Sequence, residues 1–299
     1  MTIPPPLVSI VIPVYNGSNY LRHAIESALA QTYAPVEIVV VNDGSNDGGK
    51  TDEIARSFLP RIRYITKDNG GVATALNRGI AEANGAYLSW LSHDDVLHPD
   101  KLSRQIAVVT GERLTRTLVF GDFSVHAVET NLRYTQRMPW GCRGDRQGLA
   151  ALTLLLTARL HGCTLLIPRA CFAEVGPFSE HLRTTQDYDL WFRLFAAGYR
   201  FRYVPGVVLT ARLHPEQGTR VMSDIHRGEV MALYGRALVD LRPFLGRLPP
   251  WFAYRITRSL RVRGLHGAAD VFLAQWATET RARALGAWLL TALAMPPSA

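Results

Sequence analysis

Cysteine is scarce in this chain. Three stand among 299 residues, Cys142, Cys163 and Cys171. An odd count without metal-type spacing argues against a disulfide framework and for a reducing compartment. Long apolar runs are missing as well. The start, Met1-Thr2-Ile3-Pro4-Pro5-Pro6, has no basic n-region and no apolar h-region, so no signal peptide is expected. The most apolar piece, Ala284–Met295, is too short to span a bilayer and abuts Arg281 and Arg283. Acidic charge is in deficit, 25 Asp plus Glu against 33 Lys plus Arg, for a net charge of +8. That balance could mark a nucleic-acid binder, but no motif for one is present and the excess sits late in the chain. From Arg220 onward there are 11 Arg against 5 Asp plus Glu, interleaved with Leu, Trp and Phe. An anionic membrane surface is therefore the expected basic-face partner, and nucleic acid is not. The expected location is cytoplasmic, with peripheral contact on the inner face of the membrane. No internal repeat is found. A Gly-x-Gly-x-x-Gly turn is also absent: Pro13-Val14-Tyr15-Asn16-Gly17-Ser18 follows the first strand, which disfavours a dinucleotide-dependent oxidoreductase.

What is present is an apolar fraction of 47% with 19% charged residues, the balance of a soluble globular chain with a sizeable core. Strands and helices alternate through the first third. Val8–Val14 and Val36–Val41 are continuous apolar runs, the pattern of strands buried on both faces. Ile62–Ile65 and Ala86–Leu91 read as two more strands. Between them, Tyr20–Ala30, Thr51–Phe58 and Val72–Ala83 read as helices, the first with a stripe at Leu21, Ala24, Ile25, Ala28 and Leu29. This alternation predicts a mostly parallel, Rossmann-like α/β sheet flanked by helices. Further on, Lys101–Val109 and Leu149–Leu160 are predicted helices, and Thr117–Phe120 and Thr164–Ile167 short strands. Asn131 to Gly148 is predicted to be a loop. Tyr188–Ala197 is an amphipathic helix closed by Gly198. Arg200–Val204 and Val207–Ala211 read as two edge strands. Three helices, Ile225–Leu238, Pro250–Val262 and Ala268–Ala294, form a basic extension. The expected division is 1–115 and 116–220, two halves of one α/β domain, and 221–299, a helical basic extension.

Four loops converge on the carboxyl edge of such a sheet, where open α/β folds bind ligands. They are Pro13–Gly17, Asn42–Gly48, Asn69–Gly71 and Ser92–Asp95. Glycines in three of them permit close approach to a ligand, and the helix starting at Val72 turns its amino terminus to the same edge, a favourable setting for phosphate. The adjacent carboxylates Asp94 and Asp95 repel each other unless a cation is shared, and hard oxygen ligands suit Mg²⁺ or Mn²⁺ on a diphosphate. The bland reading of that pair is a solvated turn closed by Pro99.

With these residues in order, the chain resembles the inverting family-2 glycosyltransferases of GT-A fold. The resemblance rests on Val8–Gly17, Glu37–Ser45, Asn69-Gly70-Gly71 with Ala75–Gly79, Asp94-Asp95 with Pro99, and Gln186–Arg193, and covers roughly the first 220 residues. It implies that Asp43 accepts from the nucleotide base, with Pro13, Val14, Tyr15 and Asn16 lining that pocket. Asn69, Gly70, Gly71 and Asn77 join the donor site. Asp94 is implied to contact ribose or sugar, and Asp95 to hold the metal, with Asp94 as a second candidate ligand. The first member of the family's acidic triplet is Ser92 here. His214, in Arg212–Gln217, resembles a metal ligand in some relatives, and a surface-loop histidine is the alternative. Asp187 is implied as the catalytic base, a role compatible with capping the helix it begins. The helix amino terminus is expected to keep it ionised. Gln186, where the family commonly has Glu, and Trp191 are assigned to the acceptor, with core packing as the alternative for Trp191. The function implied is transfer of a sugar from a nucleotide-diphospho-sugar, UDP-linked, to a hydroxyl of a glycan or glycolipid. The competing reading is a sugar-nucleotide or glycan-binding module without turnover.

Overall fold

A computed structural model of the chain describes residues 4–112, 114–138, 147–245 and 248–280. The first third builds β1 (Val8–Val14), α1 (Leu21–Leu29), β2 (Val36–Asp43), α2 (Lys50–Arg56), β3 (Arg63–Lys67), α3 (Val72–Glu82) and β4 (Tyr87–Trp90). The four strands are parallel in the order β3-β2-β1-β4. Every residue of β1 is buried, because helices cover both faces and the strand has no solvent side to alternate toward. In α1, Leu21, Ala24, Ile25 and Ala28 form the buried stripe. On the opposite face α3 comes so close to the sheet that a Cβ on Gly79 would lie 2.4 Å from Val11 Cγ1. A side chain there has no room, so the helix–strand distance is set by that glycine.

The chain then runs through β5 (Val96–Leu97), α4 (Lys101–Gly111), β6 (Thr117–Ala127), β7 (Leu132–Gln136) and α5 (Gln147–Leu156). It continues with β8 (Ile167–Pro168), α6 (Cys171–Val175), α7 (Gln186–Ala196) and β9 (Arg200–Leu213). β8 adds antiparallel to the outer side of β4. A second sheet has the order β5-β9-β6-β7. Three expectations are corrected here. The two predicted edge strands are one strand, β9, which lies between β5 and β6 and passes Pro205-Gly206 through a shift in register opposite Gly121–Phe123. Pro and Gly read as a break in sequence, but a bulge absorbs them without ending the strand. Within the predicted loop, Leu132–Gln136 pairs with Phe123–Ala127 as β7; it is an exposed edge strand, so no apolar alternation betrays it. The predicted strand at Thr164–Ile167 begins instead as a 3-10 turn, Gly162–Thr164. Residues 139–146 of the predicted loop lie outside the described residues, and its last two, Gln147 and Gly148, begin α5. The closure of α7 is as predicted: Gly198 has φ +83°, its N–H donates to the Phe195 carbonyl, and the Tyr199 N–H donates to that of Leu194.

The last helices are α8 (Gly218–Val221), α9 (Ser223–Asp240), α10 (Arg242–Leu245), α11 (Pro250–Val262) and α12 (His266–Glu279). They share one hydrophobic cluster with the middle of the chain, in which Tyr234, Phe272 and Trp276 meet Leu155, Trp191 and Phe195. Each such large side chain contributes roughly 1.5–3 kcal/mol by leaving water. Phe252 belongs to this core, not to a membrane-facing surface. No described helix is long and apolar enough to cross a membrane, and Ala284–Met295 lies outside the described residues.

Candidate active site

A cavity of about 830 Å³ opens at the carboxyl edge of the first sheet. At its wall Asp43, the last residue of β2, is almost fully buried. Its carboxylate accepts from Lys67 Nζ at 2.6 Å and from the amides of Gly70 at 3.1 Å and Gly71 at 2.7 Å. Those two amides are therefore spent on Asp43 and not free for phosphate. A carboxylate has about four lone-pair positions, so one remains for a ligand N–H. Pro13, Val14, Tyr15 and Asn69 line the same cavity. Asn16 stands behind it, exchanging hydrogen bonds with Asn46 that lace the first two loops together. Asn77 is not part of the cavity. Its amide binds the Phe178 backbone and Glu180, tying α3 to the segment before α7.

The acidic pair is split by its surroundings. Asp94 lines the cavity, and its Oδ2 lies 3.0 Å from His214 Nε2. Burial alone would raise this carboxyl, but the His214 hydrogen bond and the nearby His93 ring outweigh it and hold it below its ordinary value. His214 itself is buried, packs against Tyr20, and has an unpartnered Nδ1. Asp95 is buried and does not line the cavity. It accepts the Arg212 N–H at 3.0 Å, and burial with the Asp94 charge pushes it well up. Its neighbours are His161 and Cys163, and the donor atoms of the three lie within 4.8 Å of one another. Burial lowers His161 to about 4 and raises the Cys163 thiol. Asp95 and His214, expected together, thus belong to different groups. Two groups could hold a divalent cation: Asp95 with His161 and Cys163, of which His161 lines the cavity, and Asp94 with His214, of which Asp94 does.

Asp187 stands in the first turn of α7, part-exposed to the cavity, with Oδ1 accepting the Tyr188 N–H at 2.8 Å. Burial pushes it up to about 6, and the amide contacts of the helix start only partly offset this. The helix start thus favours the ionised form, as expected, against the opposing pull of burial. A Cβ on Gly162 would lie 2.6 Å from the Trp90 ring and 3.5 Å from Asp187 Oδ2. Trp90 therefore stands beside the carboxylate, its indole N–H buried without a partner. Gln186 is buried with an unpartnered Oε1 and lines the cavity. Trp191 does not; it is fully buried edge-on against Phe178. No local motif marks Lys67, His161 or Trp90 as site residues, since their contacts with Asp43, Asp95 and Gly162 arise from packing between distant segments. Val221 and Met222 of the C-terminal region also line the cavity.

The sequence model of glycosyl transferase family 2 matches residues 9–176. An uncharacterized glycosyltransferase of Rickettsia felis is 44% identical over 237 residues, covering 79% of this chain and 39% of the relative. The chondroitin synthase of Pasteurella multocida is 30% identical over 212 residues, covering 70% of this chain and 21% of that protein. The chain thus spans well under half the length of these relatives. Among solved structures, Staphylococcus aureus TarS 1–349 in complex with UDP-GlcNAc superposes with a TM-score of 0.58 at 15% identity, covering 93% of this chain and 92% of that one. TarS 1–349 in complex with UDP gives 0.57 at 17% identity, covering 93% and 91%. At such identity the likeness concerns the fold.

Proposed function

This chain belongs to glycosyl transferase family 2, and from that premise we propose that it moves a sugar from a UDP-linked donor to a hydroxyl of a glycan or glycolipid by single displacement. The observation that carries this reading is one cavity walled by Asp43, Asp94 and Asp187 together. Asp43 offers its remaining lone pair to the base, and Pro13, Val14 and Tyr15 flank it. Asp94 and His214 would hold a divalent cation, in place of the Asp95 and His214 pair read from sequence; the cation would offset diphosphate charge. The acceptor enters beside Trp90 and Gln186, whose unpartnered N–H and carbonyl suit sugar hydroxyls. Its oxygen attacks the anomeric carbon as Asp187 takes the hydroxyl proton. The bond from that carbon to the diphosphate breaks, its electron pair leaves with UDP, and the anomeric configuration inverts.

The second reading, a binding module without turnover, draws on Ser92 and Gln186 standing where relatives carry acids. Calorimetric titration of UDP, GDP and ADP, with and without Mn²⁺, tests the donor site, and release of UDP from a panel of UDP-sugars separates the two readings. Metal-dependent preference for UDP with release supports transfer. Binding without release under any acceptor tried favours the module, and no binding of any nucleotide removes transfer and leaves only a glycan-binding module.

A further inference from the structure

The segment Arg183-Thr184-Thr185 leads directly into α7 and is held from outside the family-matched region. Glu229, on α9, accepts the Arg183 N–H at 2.6 Å and the Thr184 N–H at 2.9 Å. It also accepts the hydroxyls of Thr184 at 2.8 Å and Thr185 at 3.2 Å. Burial would raise this carboxyl, but these donors outweigh it and hold it below its ordinary value. His226, one turn earlier on α9, places Nδ1 3.0 Å from the Thr184 hydroxyl. A side chain that gathers four donors from three consecutive residues fixes their backbone far better than a single contact does.

The consequence reaches Asp187. Thr185 is the residue preceding the first helical turn, where a hydroxyl ordinarily caps a free amide. Here that hydroxyl is drawn to Glu229 and makes no cap. The Tyr188 amide is satisfied by Asp187 Oδ1 instead, which leaves Oδ2 on the Gly162 and Trp90 side. We propose that Glu229 is a positioning residue for Asp187, and that α9 is thereby a working part of the catalytic wall. The proposal rests on the reading of Asp187 as the base.

The test uses the full chain with Glu229→Gln and Glu229→Ala. Glutamine keeps the volume but replaces one acceptor oxygen by an NH₂ group facing donors. The Asp187 carboxyl is followed by carbon-13 NMR titration, its resonance assigned with Asp187→Asn, and amide exchange is read over 183–188. Tyr188 is the ionisable group beside Asp187 on its own helix; Gly162 and Trp90 facing it are uncharged. The expected result is a midpoint that drops by about one pH unit or more as water reaches the carboxylate, with faster exchange confined to that segment. An unchanged midpoint in both variants overturns the proposal. With an active donor, kcat is expected to fall about tenfold or more while KM for donor stays within about twofold; an unchanged kcat also overturns it. Wild-type turnover by Asp187→Asn would instead remove the base reading, so the two failures are distinguishable.

Discussion

At the scale of single residues, the two neighbouring acids make opposite predictions. Asp94 faces the cavity with its carboxyl held low beside His214, whereas Asp95 is buried with its carboxyl pushed up. Asp94→Asn is expected to abolish the Mn²⁺ dependence of UDP binding and Asp95→Asn to retain it, as measured by calorimetry. The reverse outcome would return the metal to Asp95. For Asp187, a raised carboxyl means that a base is available only above about pH 6, so turnover should rise with pH through that value. The stability sign is opposite. The folded state holds the Asp187 proton more tightly than the unfolded chain, whose carboxyl titrates near 3.8. Stability is therefore lost as pH climbs from about 4 to about 6. Asp187→Asn escapes that loss, and is expected to melt higher by an amount on the order of 2 kcal/mol above pH 7. It is also expected to lose transfer by about 10²-fold or more. A variant no more stable at pH 8 than wild type would show that burial is not what raises this group.

Among the elements, those that bury a regular face were legible. β1 and β2 are continuous apolar runs, and α1 and α7 have stripes with 3.6-residue spacing; all lie close to where the residues place them. β7 and the bulged β9 were not legible, because one is exposed and the other carries Pro and Gly at its centre. The contact of α3 with the sheet supplies a test. Gly79→Ala would put a methyl 2.4 Å from Val11 Cγ1 and 3.2 Å from Val41 Cγ2, and overpacking of this kind costs about 1–3 kcal/mol. Urea denaturation should show that loss without a change in slope. A neutral result would mean that α3 can slide outward at no cost.

For the whole molecule, the C-terminal helices are joined to the middle of the chain through a common core. Part of their outer surface is basic and aromatic. On α11 Trp251, Tyr254, Arg255, Arg258 and Val262 share the exposed face, and Arg261 is paired with Asp270. We propose that this face meets anionic lipid. Flotation with phosphatidylserine vesicles should carry the protein upward at low salt, and Arg255→Glu with Arg258→Glu should reduce it; no flotation of the wild-type protein removes the proposal.

Sequence by itself determined the strand–helix alternation, the four loops at one sheet edge and the family, since these follow from local periodicity and from motifs that are contiguous in the chain. Tertiary structure alone decided which partners each site residue meets. His214 lies 120 residues from Asp94, Glu229 lies 44 to 46 residues from the segment it holds, and Trp90 reaches Gly162 across the sheet edge. Proximity of that kind is set by how helices and sheets pack, and burial then separates Asp94 from Asp95, two identical side chains that no local pattern distinguishes.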